Sequence, residues 1–169
     1  AMALWGKTDT ATESGKPKWF ARAATGVGRL EDCYATQSGW VLKHTTSGGT
    51  REEVLCAIKN LAGSQTVTDT LGAANITAVY FSSAITNGGG GSITVVYNEE
   101  VNVTNGATIA VTNTGGSNFN ATAAAQTGVN KVVFTITSGQ VATGNSLTIA
   151  DQTISGTIVD ALDTSRASD

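Results

Sequence analysis

Two neighbouring carboxylates, Glu99 and Glu100, come closest in residue type to a reaction centre. Hydrolysis of a glycosidic bond needs two carboxyl groups facing each other across roughly 5–9.5 Å. Adjacent residues of a strand point to opposite faces, so this pair is not expected to flank one bond. It is expected in solvent, at a strand edge or turn. His44 is the single histidine. A Ser-His-Asp hydrolase would also need a Gly-x-Ser-x-Gly elbow, which is absent. One His and two separated Cys make a thin ligand set for zinc. If residues 39–58 form a hairpin, His44 shares a face with Trp40 and Leu42, and it is expected to pack there. Asp151, Asp160 and Asp163, with Asn145, offer the hard oxygens that calcium takes, but at a spacing unlike an EF-hand loop. Residues 88–91 are four glycines without the Gly-Lys-Ser/Thr ending of a phosphate loop. They are expected to form a hairpin loop. No catalytic residue, metal ligand or cofactor is assigned, and a non-enzymatic protein is expected.

The elements around these residues are strand-like. ITAVYFSS (76–83), SITVVYNE (92–99), VNVTNGATIAVTNT (101–114), KVVFTITSG (131–139) and NSLTIADQTISGTIVD (145–160) are rich in β-branched residues and alternate apolar with polar. Each ends in Gly, Asn, Asp or another turn-forming polar residue. This pattern predicts a small antiparallel β-sandwich. The expected core is Val79, Phe81, Val96, Ile109, Val111 and one of Val133 or Phe134. Residues 36–63 admit two readings. GWVLKHTT and REEVLCAI can be hairpin arms closed by Ser47-Gly48-Gly49. Alternatively, Thr50 and Glu53 make a capping box for a helix lined by Val54, Leu55, Ile58 and Leu61, which Gly63 ends.

Composition narrows the partners. Charged residues are 14% of the 169, and the formal net charge is −3. Residues 1–60 hold eight Lys/Arg and six Asp/Glu, a balance of +2, and residues 61–169 hold two and seven, a balance of −5. No basic stripe with interleaved aromatics follows Lys59, so no nucleic-acid partner is expected. No apolar run approaches the ~20 residues of a membrane-spanning helix, and no membrane association is expected. Ala1-Met2-Ala3 reads as a natural start at Met2 behind one added residue, with no leader visible and synthesis in a cytoplasm. Cys33 and Cys56 are then expected as free thiols. Trp5, Trp19 and Phe20 stand in a polar stretch around Lys16-Pro17-Lys18 with no sustained period. That stretch reads as an extended arm whose aromatics anchor it to its own domain or to a neighbour.

The opening LWGKTDTATESGKPKWF (4–20) and the block SGWVLKHTTSGGTREEVLCAI (38–58) resemble structural proteins of tailed bacteriophages, particularly T4-like phages of marine bacteria. The resemblance implies that residues 38–58 are β. Thr50-Arg51, where those proteins have Gly-Arg, and Cys56-Ala57-Ile58 depart from the pattern. ITVVYNEEVNVTNGATIAV (93–111), KVVFTITSGQVATGNSLTIAD (131–151) and TISGTIVDALDTSRASD (153–169) are similar to bacterial immunoglobulin-like domains.

These readings combine into a mainly-β protein. Residues 1–63 form an N-terminal arm and small β hairpin that serve as an attachment region, and residues 64–169 form an immunoglobulin-like antiparallel β-sandwich. The resemblance implies a virion structural protein, most simply a capsid decoration or accessory protein. It would dock on capsid or tail subunits through Trp5, Lys16, Lys18, Trp19 and Phe20, and a homo-oligomer is also open. The rival is an adhesion or glycan-binding module on a phage tail or cell surface.

Overall fold

The computed structural model describes residues 30–63, 71–149 and 154–168. The arm residues Trp5, Lys16, Lys18, Trp19 and Phe20, and Asp151, lie outside these. A short 3-10 turn, Leu30–Asp32, precedes ten strands. β1 (Cys33–Thr36), β2 (Gly39–Thr46) and β3 (Gly49–Ala57) form an antiparallel meander. Then come β4 (Ile76–Phe81), β5 (Gly91–Val103), β6 (Ala107–Thr114), β7 (Phe119–Ala123), β8 (Gln126–Ile136), β9 (Ser146–Thr148) and β10 (Ile158–Asp160). No α-helix occurs among the described residues.

The strands belong to one mixed sheet in the order β3-β2-β1-β5-β8-β7-β6-β9, with β4 and β10 also on β5. Every described pairing between strands of residues 64–169 is antiparallel, as expected, and the one parallel contact joins β1 of the N-terminal element to β5. Along β5 the pairing with β4 stops at Tyr97 and that with β10 starts at Val101; the Asn98 amide donates to the Asn75 carbonyl and the Glu100 carbonyl accepts from the Ala161 amide, which leaves a gap at Glu99. β1 fills that gap with a parallel contact, Ala35 opposite Glu99. An open strand edge is a template for such pairing, because unmatched N–H and C=O groups are costly away from water.

The larger core joins Ile93, Val95 and Tyr97 of β5, Ile109 and Val111 of β6, Ala121 of β7, Val132, Phe134 and Ile136 of β8, and Ile158 of β10. The strictly alternating burial of β6 and β7 shows one face turned inward and one turned to solvent. The inward face has no described helix to cover it, and its side chains pack on one another in the larger core. Residues 155–160 help to close it, since Ser155 bridges Thr108 of β6 and Ile158 pairs with Val103 of β5. Of the expected core residues, Val96, Ile109, Val111 and Phe134 are buried, whereas Val133 is 43% exposed. Val79 and Phe81 stand opposite Val95 and Ile93, on the expected side, but remain 38% and 36% exposed. Among the described residues β4 pairs with nothing beyond β5, and its side chains sit at a rim.

A second, smaller core holds Cys33, Ala35, Trp40, Leu42, Leu61 and Ala62. Here the strand reading of residues 50–57 holds over the helical one. Thr46 pairs with Gly49 around Ser47-Gly48, and pairing with β2 overrides the capping box. Residues 58–62 then run back over the β1–β2 turn: the Ile58, Asn60 and Ala62 amides donate to the Ser38, Gln37 and Thr36 carbonyls. That passage requires Gly39. Its φ is +123°, and a Cβ there would lie 2.0 Å from the Cys56 carbonyl oxygen.

The 3-10 turn is fastened to the outer face of the sheet. Lys131 of β8 bonds Asp32 at 2.5 Å, Tyr80 of β4 donates to Glu31 at 2.5 Å, and the Asn130 side chain donates to the Glu31 carbonyl at 2.9 Å.

Candidate functional site: an acidic cavity where three strands meet β5

β5 changes character at its middle. Up to Val96 it pairs regularly with β8, but the next pairs are Val96 with Lys131 and Val101 with Val129. Four residues, 97 to 100, therefore stand opposite one, Asn130. An insertion of this kind bends a strand and re-aims its side chains. The alternation rule lapses here, and Glu99 and Glu100 line the same cavity. This corrects the expectation of a solvent-exposed pair on opposite faces. Glu99 is 1% exposed.

The cavity, about 280 Å³, is lined by Glu52 of β3, Glu99 and Glu100 of β5, and Asp160 of β10, together with residues 35–38, Ala62 and Leu162. Each carboxylate has its own circumstances. The Tyr34 hydroxyl donates to Glu52. Burial, the bond to Glu52 and the charge of Glu100 push the Tyr34 phenol far above its ordinary range. Lys43, which pairs with Glu52 across the strands, lies 5.7 Å from the centre of the Tyr34 ring. Burial raises the Glu100 carboxyl, as does Glu52, while Lys43 and Tyr34 pull it down. Asp160 is buried, but its Oδ1 accepts the amides of Leu162 at 2.7 Å and Asp163 at 3.1 Å.

Glu99 differs from all of these. Both of its carboxyl oxygens are shielded from solvent and accept no hydrogen bond within the described protein. Burial, and then the charge of Asp160, push its pKa up to about 8, against a smaller downward pull from Arg166. At neutral pH it is mostly a neutral acid next to a carboxylate held by backbone amides.

The other expected sites disperse. Asn145 bonds Asn113 at 3.2 Å and the Ala142 amide at 2.8 Å, near the Thr114 end of β6. Asp160 and Asp163 lie with β10, beyond the opposite end of β6. Asn145 therefore stands apart from Asp160 and Asp163, and no group of three His, Cys, Asp or Glu among the described residues is arranged to hold a metal ion. Asp163 instead bonds Arg166 at 3.1 Å, and its hydrogen bonds from Ser165 lower its pKa. His44 bonds Glu53 at 2.8 Å, with its side chain 10% exposed. Cys33 and Cys56 are thiols that are not joined in a disulfide.

Residue types at a distance hid the cavity from sequence reasoning, since Glu52 and Asp160 carry no local mark of their meeting. One signal was present: Asn98-Glu99-Glu100 interrupts an otherwise apolar strand between Tyr97 and Val101. No protein-family model matches the chain, and neither a curated protein nor a solved structure matches it.

Proposed function

We propose that the protein is a non-enzymatic structural component of a tailed-phage particle. In this reading it is a decoration or accessory protein that docks through its N-terminal region and displays an immunoglobulin-like body. The observation that carries the reading is the clamp on the 3-10 turn, where Glu31 and Asp32 are tied to Tyr80, Asn130 and Lys131. Residues 1–29 thus leave a fixed point on the body, as an anchoring segment requires. Their five Lys/Arg and two Asp/Glu oppose the −5 of residues 61–169. The resemblance of residues 4–20 and 38–58 to virion proteins supports the same polarity, with a basic anchor and an acidic body facing solvent.

Co-sedimentation with purified phage particles tests this. Removal of residues 1–20 should abolish co-sedimentation while the far-ultraviolet spectrum of the body is kept. Trp19→Ala alone should weaken docking by about 2 kcal/mol or more, the effect of a buried aromatic anchor. Full retention by the truncated protein would reverse the proposed polarity.

A second reading, a glycan-binding module, is favoured by Phe81, which is 36% exposed at the rim of β4 beside the exposed Val79. Sugar rings stack on such faces. If Phe81→Ala left binding to a glycan panel unchanged, or no glycan bound at all, this reading would fall.

A further inference from the structure

We propose that the acidic cavity at the β1–β5 junction binds an organic cation, an alkylammonium or guanidinium group, whose entry turns the shielded Glu99 carboxyl toward the cavity as its principal acceptor. Four carboxylates around one space would not by themselves indicate a ligand, since acidic residues also gather where they are merely solvated. Glu99 supplies the second observation. It is 1% exposed, lines the cavity, and accepts no hydrogen bond at either oxygen. Buried polar groups are otherwise satisfied almost without exception, and a carboxylate has up to four acceptor positions to fill. Its neighbours are already engaged: Glu52 by Tyr34, and Asp160 by two backbone amides.

The chemistry of the lining selects the class of ligand. A divalent metal needs several oxygens converging within about 2.6 Å of one point, and the described residues offer no such group. An ammonium has three N–H donors and a guanidinium five, so either can reach oxygens that are spread apart. Ala35, Ala62 and Leu162 supply apolar wall for an alkyl stem. The volume, about 280 Å³, lies just below the range of drug-sized ligand sites and suits one side-chain-sized cation.

Binding should be linked to protons. The charged and titratable groups set around Glu99 are Asp160 on β10, Glu100 on β5, Glu52 on β3, Tyr34 on β1, Lys43 on β2 and Arg166 in the C-terminal turn. Of these, Asp160 opposes a charge on Glu99, and Arg166, itself bonded to Asp163, favours one. A bound cation adds to the Arg166 side of this balance. Glu99 then gives up its proton to the buffer as the cation enters, and affinity rises with pH up to about 8.

Isothermal titration calorimetry of the full chain, in buffers of different ionisation enthalpy at pH 7, tests the proposal with two probes, N-acetyl-arginine methylamide and putrescine. The expected result is saturable binding of at least one probe with release of a fraction of a proton. Glu99→Gln should weaken that binding about tenfold or more. Glu53→Gln, outside the cavity on the His44 side, should leave it unchanged. Preference for the arginine probe assigns the site to a protein side chain, and preference for putrescine to a free polyamine. Absence of saturable binding up to about 10 mM of either probe overturns the proposal, as does equal binding by Glu99→Gln. If that variant does not fold, proton release by the wild-type chain decides, and binding without it overturns the proposal.

Discussion

Residues 93–96 and residues 97–101 follow one another along β5, yet their surroundings differ in kind. The first four pair residue by residue with β8 and with β4, and every one is buried. The next stretch has one residue of β8 opposite four of its own, and three different strands meet it on the other side. The regular half needs no charge, because the ladder satisfies the backbone and methyl groups fill the space. The irregular half opens a gap that apolar side chains do not fill, and carboxylates from three strands collect there. A strand can therefore change from scaffold to site within a few residues, by a change in pairing count alone.

The largest effect expected on this contrast comes from the regular half. Phe134, fully buried opposite Ile93, should cost about 3–5 kcal/mol when changed to Ala, measured by denaturant unfolding. A loss under ~1 kcal/mol would mean that the ladder region is not the stable part of the molecule.

Next in size is the pH dependence contributed by Glu99. Its folded pKa, about 8, lies above the ~4.3 of an unfolded glutamate, so between these values the native state holds more proton than the unfolded chain. Stability must then fall as pH rises through this window and level off above about 8. The total is on the order of 3–5 kcal/mol, the upper figure being the full shift. Glu99→Gln should remove most of the slope and be more stable than the wild type at pH 8. Glu100, also raised by burial, should leave a shallower slope of the same sign. An unchanged slope in the variant would mean that the junction is solvated like any surface.

Lys131→Met breaks the ion pairs to Asp32 and Glu31 and should cost about 1 kcal/mol, because Lys131 and Asp32 are only partly buried and buried Glu31 keeps its bond from Tyr80. Smallest of all, Glu53→Gln, at the exposed end of the His44 bond, should change stability by less than about 0.5 kcal/mol.

Much of the regular half was legible in the sequence. Alternation put Ile109 and Val111 inside and left Val133 or Phe134 open, of which Phe134 is the buried one, and the Ser47-Gly48-Gly49 turn signal marked the hairpin. Where local and long-range signals disagreed over residues 50–57, pairing with β2 won, and Val54 of the would-be helical face is 50% exposed. Val79 and Phe81 had the right parity, but parity does not say whether a strand lies at a rim. The site was not legible, because its lining comes from residues 35 to 162 and depends on a miscount between β5 and β8. Even the visible interruption at residues 98–100 pointed to solvent under the alternation rule, which an insertion suspends.

The most direct test of the contrast is the titration of the Glu99 side-chain carboxyl by carbon NMR on selectively labelled protein from pH 3 to 10. The account predicts a midpoint near 8, well apart from the exposed glutamates. A midpoint near the ordinary ~4.3 would contradict it, showing that Glu99 is hydrated or paired and that no buried acidic site exists at the junction.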